Sequence, residues 1–232
     1  MDLVTEAFGD AAQLIVGRDP ELLRIAALSL VVSGLAALLA ALLGVPLGAA
    51  LHLAQWPGHR PLVLVVNTGM GLPPVVVGLA VTLLLWRTGP LGSLRLLYTP
   101  SAMVLAQLIV ALPIVAGFTY AALSLQDPDL ALAMRADGAV ERRVAYELVR
   151  AARTPIMVAI AAGFGRAIAE VGASLMVGGN IVGQTRILTT AIALESGKGD
   201  FALALALGMV LLLLALTVNA SLGLAARLRV AS

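Results

Sequence analysis

The sequence predicts an all-α polytopic membrane protein with five transmembrane helices and a short N-terminal amphipathic helix. Of its 232 residues, 60% are hydrophobic and only 12% are charged, about half the charged fraction of a soluble globular domain. Several apolar runs exceed the roughly 18 residues that indicate a membrane-spanning helix. A soluble core of this size does not bury so much apolar surface, whereas a bilayer solvates it.

The spans follow one another within a single transmembrane domain that covers residues 1–232. Hydropathy places them at about 21–53, 62–86, 100–125, 155–177 and 201–224. At roughly 1.5 Å per residue the first is longer than the hydrocarbon core, so it must tilt or project. It carries Gly44 and Gly48, a small-residue pair that favours close helix packing.

Residues 1–19 form an amphipathic segment that precedes the first span. The segment has no basic start, and Asp2, Glu6 and Asp10 interrupt its apolar residues, so it is not a signal peptide. Its apolar residues recur at helical spacing. We therefore expect a short helix that lies on the membrane surface.

Composition excludes several kinds of chemistry. The chain has no cysteine, which excludes disulfides and thiolate metal sites, and its net charge of +2 is too small to indicate a nucleic-acid partner. His52 and His59 lie near one predicted helix end, as interfacial residues do. Gly197 and Lys198 resemble a phosphate-binding loop, but the first glycine and the final Ser/Thr of that motif are absent. We expect no cofactor in this chain, and any ATP it uses is bound by another chain.

The second span contains an unusual concentration of helix breakers in "GLPPVVVGL": Gly71, Pro73, Pro74 and Gly78. Each proline removes a backbone donor and leaves an earlier carbonyl without its helical partner. Freed groups at membrane depth require protein, water or a substrate path. The segment is therefore either a packing kink or part of a translocation path.

Residues 126–153, the central loop, join the third and fourth spans and hold five arginines and five acidic residues. Apolar residues recur at helical spacing on both sides of Gly138, which predicts two short helices and a turn. A plain linker would be polar or glycine-rich throughout. Two amphipathic helices outside the membrane instead favour a docking surface for a soluble partner, with Gly138 where a left-handed backbone is needed.

The fourth span contains Arg166 and Glu170, which share a face if the helix is continuous. Each lone charge at mid-bilayer would cost roughly 2.5–3.5 kcal/mol, and pairing reduces that cost. Two interpretations stay open. The pair is either a lock between helices, in one chain or across a dimer, or a polar site on a translocation path, although a path lined by Glu170 would repel an anion.

Residues 178–200, the outer segment, connect the fourth and fifth spans with glycines at turn positions and a predicted short helix.

The orientation of the chain in the membrane follows from the distribution of its basic residues. If the central loop is cytoplasmic, eight arginines lie inside and six basic residues outside, which places the N-terminus outside and the C-terminus in the cytoplasm. The inner set is Arg60, Arg135, Arg142, Arg143, Arg150, Arg153, Arg227 and Arg229, and the outer set is Arg18, Arg24, Arg87, Arg95, Arg186 and Lys198.

The central loop resembles the coupling loop in permease subunits of ATP-binding cassette importers of type I. In "LAMRADGAVERRVAYEL" the signature glycine corresponds to Gly138, and Leu132 and the Arg150-Ala151 pair depart from the usual signature. The resemblance implies that an ATPase subunit binds this loop. The residues expected at that contact are Ala136, Asp137, Gly138, Ala139, Glu141 and Arg142.

A closer resemblance, to tungstate-type permeases and their molybdate relatives, covers most of the chain. It is carried by "GLPPVVVGL", "FGRAIAEVGASLMVGGNIVGQTRILTTAIALE" and "GKGDFALALALG". It implies a homodimer in the plasma membrane that works with two ATPase subunits and an extracytoplasmic tungstate-binding protein. The residues expected to line the path or gate are Gly71, Pro73, Pro74, Gly78, Gly178, Gly179 and Asn180.

Three other interpretations stay open. The cargo could be molybdate or sulfate, because the capture of cargo belongs to a separate protein. An ion-coupled secondary transporter with Glu170 as its ion site would need more spans and inverted repeats than this chain offers. A membrane assembly factor without a path is the third.

Overall fold

In a computed structural model the protein is helical, and the structure describes residues 2–17, 19–53 and 58–228. These residues form eleven α-helices and one short 3₁₀ helix, Gly92–Leu94, and they contain no strand. The α-helices, in chain order, are α1 Asp2–Val16, α2 Pro20–Leu53, α3 His59–Met70, α4 Pro74–Leu85, α5 Pro100–Ser124, α6 Pro128–Ala136, α7 Glu141–Ala151, α8 Arg153–Ile168, α9 Gly172–Gly178, α10 Leu188–Lys198 and α11 Phe201–Leu228.

Three of the described helices, α2, α5 and α11, are each long and apolar enough to cross a membrane. Two bent pairs, α3 with α4 and α7 with α8, raise the number to five if each pair is one span. The all-helical membrane architecture is thus confirmed. The first, third and fifth predicted spans match α2, α5 and α11 closely at their bounds.

The long helices α2 and α5 cross at small residues. A Cβ atom added at Gly48 would lie 2.5 Å from the carbonyl oxygen of Ala116, and one at Gly44 would lie 3.0 Å from the Cβ of Val115. Both glycines are therefore required for the distance between these two helices, as the sequence predicts. This contact forms the centre of the fold, since α8 packs against both helices.

The second predicted span is interrupted rather than kinked. Its two halves, α3 and α4, meet at an angle of 105° across Gly71 to Pro73. Pro73 is extended, with φ −64° and ψ 122°, and Pro74 occupies the first turn of α4, where the missing N–H costs nothing. The prolines thus end one helix and begin another.

The prediction of one continuous helix over 155–177 is wrong. Helix α8 ends at Ile168, and α9 begins at Gly172 after a break. Glu170 lies in that break, so it does not share a helix face with Arg166. The break is stabilised locally, because the backbone N–H of Ala173 donates to the Glu170 carboxylate over 2.9 Å.

The N-terminal helix α1 packs against α11 instead of lying only on a membrane surface. Its Ala11 is fully buried in a cluster with Leu22 and Ile25 of α2, Leu188 of α10 and Leu207 of α11. Phe8 and Val16 remain exposed. Arg18 and Arg229, both counted in the comparison of basic residues, lie outside the described residues.

The two ends of the long helices carry different structures. At one end, Val144 and Leu148 of α7 pack against Ala49 of α2 and against Ala122 and Leu123 of α5. At the other end, α10 packs against the first turns of α2. The central loop and the outer segment therefore lie at opposite ends of the molecule.

Candidate functional site

The central loop consists of α6, a tight turn and α7, as its periodicity predicts. Gly138 has a φ of +80°, the left-handed conformation that favours glycine. The N–H of Gly138 donates to the carbonyl of Arg135 over 3.0 Å, and that of Ala139 donates to the carbonyl of Met134 over 2.9 Å. These two bonds close the end of α6 as a Schellman motif.

An ion pair spans the turn between the two helices of the central loop. Arg135 donates from Nε to Oε1 of Glu141 over 2.8 Å and from Nη2 to Oε2 over 3.1 Å. The hydrogen bond and the negative charge of Glu141 raise the pKa of Arg135, and the hydrogen bond and the positive charge of Arg135 lower the pKa of Glu141. This bidentate pair links α6 to α7 across the solvent-exposed side of the turn.

The central loop buries one face and exposes another. Val144 and Leu148 hold α7 against α2 and α5, whereas α6 has no buried residue. Leu132, Val140 and Tyr146 are 58–69% exposed. Of the residues expected to contact an ATPase subunit, Ala139 is half-buried and the others are exposed: Ala136, Asp137, Gly138, Glu141 and Arg142. The loop thus presents apolar and charged groups to the outside while its rear face is anchored.

The two helix breaks lie next to each other. A Cβ added at Gly172, just after the second break, would lie 2.7 Å from Cγ2 of Val75, just after the first. A Cβ at Gly78 would lie 2.7 Å from the Cα of Ala173. Helices α4 and α9 therefore pack backbone to backbone. Gly78 is buried in this contact, while Gly71 and Pro73 are exposed and Pro74 is half-buried.

The predicted charge pair forms within one chain. Nη1 of Arg166 donates to Oε2 of Glu170 over 3.0 Å, and the other carboxylate oxygen accepts the Ala173 N–H. The exposure of the two side chains differs sharply, at 32% for Arg166 and 2% for Glu170. The carboxylate is thus enclosed, and the guanidinium is the accessible partner.

The outer segment begins with a left-handed turn at the end of α9. Gly178 is buried against Met103, and Gly179 has a φ of +71° and lies against the ring of Tyr98. Asn180 also has a positive φ, 51°, and its Oδ1 accepts a hydrogen bond from the Thr190 hydroxyl over 2.9 Å. The three predicted gate residues are therefore consecutive members of one turn that α10 holds in place.

Sequence reasoning missed the polar groups that fix this turn. The Thr185 hydroxyl donates to the Gly178 carbonyl over 2.6 Å and accepts the N–H of Ile181 over 3.0 Å. The N–H of Tyr98 donates to the Val177 carbonyl over 2.8 Å. The bond between Tyr98 and Val177 joins positions that only the tertiary fold brings together. The two Thr185 bonds are local, four and seven residues apart, but they form in an irregular loop that has no regular spacing to mark them.

A cluster of charges at the outer end was also missed. Arg186 lies 3.3 Å from a carboxylate oxygen of Glu21 and 3.6 Å from one of Glu195, which Lys198 also contacts at 3.0 Å. The cluster joins the outer segment to the first turn of α2. Among the residues that the structure describes, no group of three or more His, Cys, Asp or Glu side chains could hold a metal ion.

Comparison with known proteins gives one family and several relatives. The family described as "Binding-protein-dependent transport system inner membrane component" matches residues 42–229. A probable anion ABC transporter permease protein of Haloferax volcanii is 46% identical over 77% of this chain and 79% of its own length.

Two further relatives have named cargo. The tungstate uptake system permease protein TupB of Peptoclostridium acidaminophilum is 37% identical over 88% of this chain and 89% of its own length. The molybdenum transport system permease protein ModB of Escherichia coli K12 is 30% identical over 71% of this chain and 76% of its own length.

Proposed function

The chain belongs to the family of inner membrane components of binding-protein-dependent transport systems, and from this premise we propose that it is the permease subunit of an ATP-driven importer of tungstate. Members of this family are transport components and not catalysts, so ATP hydrolysis falls to a separate ATPase subunit. The observation that carries the proposal is the central loop. Its rear face is anchored on α2 and α5, and its outer face exposes Val140 and Tyr146.

The choice of tungstate rests on similarity along most of the chain. Tungstate uptake permeases match it more fully than molybdenum permeases do, in identity and in the share of the chain covered. The permease itself needs only weak contact with its cargo, because capture belongs to a binding protein outside the membrane. Molybdate is the second candidate cargo, favoured by the 30% identity to ModB.

The assembly we propose contains two copies of this chain, two ATPase subunits and one extracytoplasmic tungstate-binding protein. ATP binding closes the ATPase pair and moves the two central loops together. The motion passes from α7 into α8 through the 75° bend at Ala152, and from α8 across the break to α9. It reaches the turn at Gly179, where the outer segment opens or closes the path.

The orientation follows from this assembly. The central loop faces the cytoplasm, and the outer segment and the start of α2 face the extracytoplasmic side. The N-terminus then lies outside, and the chain returns to the cytoplasm at its C-terminus. Thirty-four residues of α2 extend about 50 Å, which is longer than the hydrocarbon core of a bilayer. The two ends of α2 can therefore reach the two surfaces of the membrane.

Energy source and cargo are tested in one preparation of sealed proteoliposomes that contain the chain, its ATPase subunit and the tungstate-loaded binding protein. We expect tungstate uptake that continues when proton and sodium gradients are abolished and stops without ATP. Uptake that needs an ion gradient and no ATP would refute the ATP-driven importer and indicate a secondary transporter. Equal competition by molybdate would broaden the cargo to both oxyanions, and preferred uptake of molybdate would overturn the choice of tungstate.

A further inference from the structure

The accessible half of the charge pair is a cation. Both oxygens of the Glu170 carboxylate accept hydrogen bonds, one from Arg166 and one from the Ala173 N–H, and this side chain is 2% exposed. An arginine has five N–H donors, and the described residues give Arg166 one hydrogen bond, that to Glu170. Donors of the guanidinium therefore remain for a ligand.

Arg166 lies on a partly exposed face of α8, and around the guanidinium that face differs from a lipid-facing surface. Its neighbours there are the half-buried Ala162 and Gly165 and, just after the helix, the exposed Ala169, while Val158 two turns earlier is a large exposed apolar residue. A Cβ added at Gly165 would find no atom within 4 Å. By contrast, the exposed residues of α11 include large apolar side chains that suit contact with lipid, namely Leu212, Leu213 and Leu216. A charge among small residues, with open space beside it, favours a wet or protein-lined surface over acyl chains.

Arg166 also lies close to both helix breaks. It stands one helical turn before the break that holds Glu170, and this break adjoins the start of α4 at Val75. Irregular backbone at membrane depth occurs where protein encloses it or where it borders a cavity. Arg166 therefore lies where two interrupted helices meet.

We propose that Arg166 is a positioning residue for the cargo, whose guanidinium contacts the tetrahedral oxyanion during passage while Glu170 serves as its buried counter-charge. The inference rests on the proposed function. A guanidinium matches two oxygens of an oxyanion at once. Because Glu170 balances its charge, the attraction is short-ranged and weak, which lets the dianion leave. The charge of Arg166 also offsets the repulsion that Glu170 alone would exert on an anion in the path.

The test compares tungstate uptake and ATP hydrolysis in proteoliposomes that contain the chain, its ATPase subunit and the tungstate-loaded binding protein. The double variant R166Q/E170Q removes both charges and leaves no buried carboxylate unpaired. We expect it to assemble and to hydrolyse ATP with the same half-saturating concentration of binding protein, but with about tenfold less tungstate per ATP. The exposed Arg24, outside this region, gives the control variant R24Q, which should transport normally.

Two further variants separate a cargo contact from a lock between helices. R166K keeps the charge without the planar fork, so its uptake should lie between those of the wild type and the double variant. The swap R166E/E170R allows the pair to form but presents a carboxylate, so its uptake should be abolished. Normal tungstate per ATP in either the double variant or the swap overturns the inference. If the swap does not assemble, the double variant and R166K decide. Absence of ATP-driven uptake by the wild type would instead refute the proposed function.

Discussion

Substitution of Gly138 by alanine should weaken the turn of the central loop by a calculable amount. At a φ of +80° a residue with a Cβ costs about 1–2 kcal/mol. No steric term is added, because a Cβ at this position would meet nothing within 4 Å in this chain. A cost of this size lowers the equilibrium constant between the native turn, with its bonds to Arg135 and Met134, and other conformations by about 5- to 30-fold.

The assay is the affinity of the detergent-solubilised permease for its ATPase subunit, together with thermal stability. Gly199 provides a matched control, since it has a φ of +84° and equally open surroundings but lies in the outer segment. We expect G138A and G199A to lose similar stability and only G138A to lose affinity for the ATPase. G138N should lie between G138A and the wild type, because asparagine tolerates the left-handed region. Equal ATPase affinity in G138A and G199A would refute the assignment of Gly138 to the docking surface.

Three further predictions concern packing, pH and the outer segment. Gly48→Ala places a Cβ 2.5 Å from a carbonyl of α5 and should destabilise the protein by about 1–3 kcal/mol in thermal unfolding, whereas Gly34→Ala, with nothing within 4 Å in the same helix, should be neutral or stabilising. The folded state lowers the pKa of Glu141, so its ion pair with Arg135 stabilises the central loop at neutral pH, and this stabilisation is lost as the pH falls below the ordinary value of 4.5. The affinity of the central loop for the ATPase subunit should fall over the same pH range. Glu141→Gln should flatten this dependence of affinity on pH, and an unchanged profile in the variant would contradict the pairing. Thr185→Val removes a donor and an acceptor at the end of α9 and should cost about 1–3 kcal/mol and slow uptake, while the exposed Thr217→Val in α11 should do neither.

The sequence predicted the features that depend on local pattern. The long apolar runs give α2, α5 and α11 within a few residues, because length and hydropathy alone define such helices. The left-handed turn at Gly138 follows from a glycine between two amphipathic stretches. The close crossing of α2 and α5 follows from Gly44 and Gly48, which leave room for a neighbouring backbone.

Features that depend on tertiary contact were missed or wrongly predicted. The break between α8 and α9 has no proline to mark it, and it is stabilised by a carboxylate of Glu170 that bonds Arg166 and the Ala173 N–H at once. The hydrogen bond from Tyr98 to Val177 likewise joins distant parts of the chain, and those of Thr185 form in an irregular loop after α9. The difference in burial within the charge pair was also not predictable, because the sequence gives no reason why Glu170 is enclosed and Arg166 is accessible.

The most direct test of the account is tungstate uptake into sealed proteoliposomes that contain this chain, its ATPase subunit and the extracytoplasmic binding protein, with each component omitted in turn. We predict ATP-driven uptake that requires all three components. The variant Gly138→Trp should abolish this uptake while the two permease copies still associate. Tungstate uptake that persists without the ATPase subunit, or that Gly138→Trp leaves unchanged, would contradict it.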